Sequence, residues 1–135
     1  MWPREVIVPG EKIRGVYRDS KGRYGIAVVK IWNSVPHVHK KTTEAYLPLS
    51  GALRIFAGVR GRVEVLDFSR GICIVKPKTI HWAQSIGREP AEVAVFSMPA
   101  WRASDHRVVD IFALRDRARK SKRAGKKETR SRRGT

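Results

Sequence analysis

From Val6 to Met98 the chain alternates short apolar runs with polar or glycine-rich breaks, and no segment of helical period occurs before Asp110. Residues 12–18 and 23–32 are rich in β-formers, and Asp19-Ser20-Lys21-Gly22 between them is a hairpin turn signal. Further runs follow at Ala45 to Leu49, Leu53 to Ala57, Arg62 to Phe68, Ile72 to Val75, His81 to Ile86 and Glu92 to Met98. Glycines and prolines such as Gly51, Gly58, Gly71, Pro77 and Pro90 stand between them or at their ends. Short strands at regular spacing with turn residues between them predict an all-β sandwich or barrel. The first helix signal is Asp110, which can cap a helix through Ile111, Phe112 and Leu114 to Lys120, with an interruption expected at Gly125.

Length and composition narrow the picture. The 135 residues provide for one barrel domain over 1–114, followed by a basic helix and tail over 115–135. No apolar run approaches the roughly 20 residues that span a bilayer, and Met1-Trp2-Pro3-Arg4-Glu5 does not read as an export signal. The lone cysteine, Cys73, sits in an apolar run where a small buried residue is expected. These features predict a cytoplasmic protein. Only Asn33 and Gln84 carry side-chain amides, which is in keeping with a heat-adapted source.

The net charge of +17 is uneven: Arg115 to Thr135 holds eleven Lys or Arg and two acids, a net of +9. Beyond Gly125 nothing is apolar enough to fold alone, so Lys126 to Thr135 is expected to be disordered. Such a tail either binds nucleic acid through its phosphates or simply solubilises the chain. No aromatic residues interleave its charges, which favours the second reading.

The chemistry is concentrated in His37-Val38-His39, Glu44 and His81. On a strand, residues i and i+2 point the same way about 6.5 to 7 Å apart, so His37 and His39 can reach one ion together. Glu44 lies an odd number of residues from His39 and needs a bend to join them, which polar Lys40-Lys41-Thr42-Thr43 can supply. Imidazole nitrogens and a carboxylate suit a borderline divalent ion such as zinc, iron, manganese or nickel. Taken singly, each of these residues also has a bland structural reading; taken together, they favour a metal site.

The segment HVHKKTTEAYLPLSG, His37 to Gly51, resembles the first motif of the cupin superfamily, and GICIVKPKTIH, Gly71 to His81, is similar to the second. The second departs from the pattern: its proline-to-histidine spacing is one residue short, and Lys78 and Thr79 stand where a glycine is expected. The resemblance covers roughly Tyr24 to Val109 and implies a small jelly-roll barrel with one metal held by His37, His39, Glu44 and His81. It also implies frequent homodimers. It does not give the reaction, because cupins include dioxygenases, isomerases, epimerases, decarboxylases and proteins that only bind ligands.

Parity along the strands extends the candidate site. Tyr46 shares the face of Glu44 and could serve as a catalytic acid or base. Ser85 shares the face of His81, and Arg54, between Leu53 and Ile55, points either toward an anionic substrate or out into water. Both are candidate substrate-binding residues. Trp82 and Trp101 are expected to pack or to meet a second copy, and His106 is expected at the surface. The function expected is a metal-dependent enzyme of isomerase, epimerase or dioxygenase type, acting on a small oxygen-rich or anionic molecule. The alternative is a ligand-binding or structural cupin whose metal only staples the barrel.

Overall fold

The computed structural model describes residues 5–67 and 69–133, and from residue 126 onward the course of the helix only. Among the described residues eleven strands are present: β1 (Glu5–Val8), β2 (Glu11–Arg18), β3 (Gly25–Ile31), β4 (His37–His39), β5 (Thr43–Ser50), β6 (Leu53–Ala57), β7 (Arg62–Leu66), β8 (Cys73–Val75), β9 (His81–Ser85), β10 (Ala91–Met98) and β11 (His106–Val108). They form a six-stranded sheet, β1-β2-β3-β10-β5-β8, and a five-stranded sheet, β11-β4-β9-β6-β7. All described pairings are antiparallel, and the two sheets enclose the core in a jelly-roll barrel. The run expected to reach Phe68 ends as a strand at Leu66, and Phe68 itself lies outside the described residues.

Alternation explains the barrel. Along β3 the residues Gly25, Ala27, Val29 and Ile31 are buried while Ile26, Val28 and Lys30 are not. The same period buries Leu53 and Ile55 on β6 and Val93 and Val95 on β10, so their side chains meet in one cluster. Gly10 closes the β1–β2 hairpin at φ 77°, and a Cβ there would lie 1.8 Å from the Asn33 carbonyl oxygen. Only glycine fits this turn, which fixes Glu11 as the first residue of β2.

Two features differ from expectation. Strand β11 pairs with β4 in the register His106 with His39 and Val108 with His37, although three residues among polar neighbours give no periodic signal. The C-terminal helix α1 (Ile111–Arg133) runs on through Gly125. A glycine inside a helix costs about 1 kcal/mol relative to alanine, which one residue in a long lysine- and arginine-rich helix does not make prohibitive. The disorder expected from Lys126 falls on this helical stretch and on Gly134 and Thr135, which lie outside the described residues. Among the described residues no helix is long and apolar enough to cross a membrane.

Candidate metal centre

The site lies between the two sheets. His37 and His39 come from β4 and His81 from β9, where it pairs in register with His37. Glu44 arrives from the opposite sheet because residues 40–42 bend the chain before β5 begins. This bend is held by Asp105, whose carboxylate accepts the backbone N–H groups of Lys40, Lys41 and Thr42 at 2.9, 3.1 and 3.3 Å. Between Pro77 and His81, Lys78 takes φ 63° and donates its backbone N–H to the His39 carbonyl at 2.7 Å. A left-handed turn is therefore made without the glycine of the second motif, at a cost of about 1–2 kcal/mol.

All four donors are buried, with His37, His39 and His81 at 2 % exposure and Glu44 at 5 %. One ligand atom from each lies within 4.8 Å of those of the others. Each histidine has its Nδ1 against a backbone carbonyl: His37 on Val35 at 2.8 Å, His39 on Asp105 at 3.1 Å and His81 on Thr79 at 2.9 Å. A carbonyl only accepts, so each Nδ1 carries a proton, and a ring in its neutral form offers the lone pair of Nε2 as a metal ligand.

Two of these lone pairs, on His39 and His81, stand 2.9 and 3.1 Å from Glu44 Oε1. His39 Nε2 is buried without an aligned hydrogen-bond partner. Electron-rich atoms in such contact require a cation among them, either protons or one metal ion. Donors about 2.1 Å from a common ion and at right angles to each other sit about 3 Å apart, so these residues fit a divalent metal.

The electrostatics agree. Burial, followed by the neighbouring His81 and His106 rings, pulls His37 down to about 3 and keeps it neutral. Burial also works against protonated His39, but the Glu44 carboxylate outweighs it and leaves His39 raised. Glu44 is pushed up by burial and drawn well below its usual range by His39 and His81, so it is ionised.

Other residues complete the surroundings. Tyr46 is buried as expected and donates its hydroxyl to Glu44 Oε1 at 3.2 Å. A small cavity of about 20 Å³, room for roughly one water, is bordered by His37, His39, Glu44, Tyr46, Glu11 and His106, among others.

Glu11 and His106 were not anticipated here. The His106 ring stacks on His37 at 4.3 Å and 16°, with its Nδ1 buried and unpartnered, so it is part of the site and not a surface residue. It reaches this position through β11. Burial and then His39 pull it down to about 4, leaving the ring neutral. Glu11 shares the parity of buried Ile13, the one signal that could have placed it inside. Burial and then the Glu44 charge push it up to about 8.

The two candidate substrate-binding residues lie away from this cavity. Arg54 is exposed because its neighbours Leu53 and Ile55 occupy the inner face. Ser85 has the right parity but lies four residues along β9 from His81, about 13 Å away, and its hydroxyl donates to the Glu89 carbonyl. Neither borders the cavity. Trp101 is buried against His106, and Trp82 stacks on Phe56 at 5.0 Å, so both pack within the chain.

No protein-family model matches the chain, and no curated protein sequence matches it. Solved structures do. A uridine-bound variant of PAC13 from Streptomyces is 15 % identical over 78 % of this chain and 83 % of that one, with a TM-score of 0.65. The cupin domain of Cnp3 from Schizosaccharomyces pombe is 14 % identical over 68 % of this chain and 66 % of that one, at 0.57. The fold is that of a cupin. KdgF from Halomonas sp. is a further neighbour, 18 % identical over 73 % of this chain and 86 % of that one, at 0.59. At these identities the likeness is one of fold. The cupin barrel accounts for donors from both sheets meeting between them, and the histidine and glutamate positions make that meeting point a possible metal site.

Proposed function

We propose that this cupin is a metal-dependent enzyme that moves protons on a small oxygen-rich molecule, in an isomerase, epimerase or dehydratase type of reaction. The observation that carries the reading is the set of bare imidazole nitrogens converging on Glu44, beside two further proton-carrying groups in the same cavity. Pac13, one of the proteins similar in fold, is a nucleoside dehydratase, which supports the class without naming the substrate.

His37, His39, Glu44 and His81 would hold the ion. A bound divalent ion supplies Lewis acidity toward a substrate oxygen. The protein's own groups carry the protons. His106, neutral and with an unpartnered Nδ1, is the candidate group for exchanging a proton with the substrate. Glu11, held protonated at neutral pH in the metal-free protein, is the candidate group for delivering a proton to a departing or rearranging oxygen. Tyr46 is better read as a positioning residue, since its hydroxyl orients Glu44.

A second reading, the metal as a staple, is favoured by the size of the cavity, about 20 Å³. Incubating metal-loaded protein in D₂O with uridine and with small sugar acids separates the two. Deuterium uptake or loss of water from a substrate supports the enzyme. No turnover by fully loaded protein, combined with a melting temperature that falls on chelation, supports the staple.

A further inference from the structure

A cleft of about 810 Å³ opens where the base of α1 meets the β4–β11 edge, and Lys40, Lys78, Arg107 and Arg117 border it. The two acids beside them are committed to the backbone. Asp105 holds the 40–42 bend, and Asp110 Oδ1 accepts the N–H groups of Phe112 and Ala113 at 3.0 and 3.1 Å, capping the helix. From the cleft the helix extends for 23 residues, about 35 Å. Every described residue from Asp116 to Gly125 is exposed.

We propose that α1 and the cationic cleft at its base form a docking surface for the phosphodiester backbone of double-stranded DNA. The shape and charge of the helix carry this. The basic segment is a continuous helix about 10–12 Å across, a width that a DNA major groove of about 12 Å admits. Its charges lie all around the axis, at Arg115, Arg117, Arg119, Lys120, Lys122 and Arg123, with Asp116 the single acid among residues 111–125.

Beyond Leu114 there is no large apolar side chain to bury in a lipid layer, so the helix lacks the anchor of a membrane-bound amphipathic helix and suits a polyanionic backbone better. The helix base also carries the aromatic residue missing from the tail. Phe112 is 77 % exposed, with the Arg115 guanidinium 6.0 Å from its ring centre. Arg115 Nε donates to the Val59 carbonyl at 2.8 Å and ties the helix to the barrel, so cleft and helix meet DNA as one surface. Among the described residues of this surface no group is held in a geometry suited to base edges, so the binding proposed is independent of sequence.

The test is anisotropy titration of the full chain with a labelled duplex of roughly two helical turns, at several salt concentrations. Affinity should fall as salt rises, with log K losing about 0.9 per decade of salt for each cation engaged. Reversing Arg107 and Arg117 together (R107E, R117E) should weaken binding about tenfold. Reversing Arg119, Lys122 and Arg123 (R119E, K122E, R123E) should weaken it further while the circular dichroism spectrum and metal content stay unchanged. The proposal is overturned if no binding occurs, if affinity ignores salt, or if both sets of reversals leave it intact. It is equally overturned if the chain binds phosphatidylserine vesicles and not the duplex.

Discussion

The barrel interior and the C-terminal helix hold their ionisable residues in opposite surroundings. Inside, His37, His39, Glu44 and His81 are at most 5 % exposed, and their atoms are fixed by carbonyls and one carboxylate within about 3 Å. Outside, Lys120 pairs with Asp116 at 3.5 Å while both are mostly in water. Low dielectric makes each interior group individually consequential, whereas screening on the helix leaves only the sum of charges to matter. The comparison predicts that single substitutions are felt strongly in the first region and hardly at all in the second.

The sharpest break comes from removing donors. The variant with His39→Ala and Glu44→Ala should lose its metal, falling from near one ion per chain to background by elemental analysis, and any turnover should vanish with it. Retained metal would mean that other residues hold the ion.

A smaller effect is expected one step outward. Asp105→Ala removes the acceptor of three backbone N–H groups and loosens the bend that carries Glu44 to the site. Loss of such supporting contacts weakens metal binding by about 10- to 100-fold, measurable by competition with a chelator. Unchanged affinity would show that the bend is held without Asp105.

The pH dependence of stability sharpens the comparison further. Glu11 titrates near 8 when folded, against 4.5 for the free group, so the folded state holds its proton where the unfolded state has released it. Its contribution is fully present below about 4.5 and is lost as pH rises toward about 8. In urea titrations of metal-free protein, wild type should therefore lose more stability than Glu11→Gln between these limits. Parallel losses would place the Glu11 proton elsewhere. The smallest effect belongs to the helix, where Lys120→Ala should change stability by no more than about 0.5 kcal/mol.

Much of this was legible in the sequence because strands advertise their faces. Alternation gave eight of the β segments, and the turn at Lys40 to Thr43 explained how Glu44 could cross to the face of the histidines. Tyr46 followed from the same parity. What escaped detection depended on contacts far apart in the chain. Strand β11 is three residues long and exists because it pairs with β4, so His106 could not be placed from its neighbours. The places of Arg54 and Ser85 stayed open for a related reason. Parity leaves two faces open for an arginine between apolar residues, and it does not say how far along a strand the site extends. The break expected at Gly125 failed because helix propensity is a weak signal that one glycine does not decide.

The central claim is that three neutral imidazoles and one carboxylate share a cation. Its most direct test is the metal content of protein purified without a polyhistidine tag, measured as pH is lowered from about 7 to about 5. Protons compete for the same lone pairs, and first for that of His39, whose affinity for a proton is raised. The account predicts near-stoichiometric metal at the upper limit and progressive loss toward the lower. Protein without metal at neutral pH, or metal retained unchanged across that range, would contradict it.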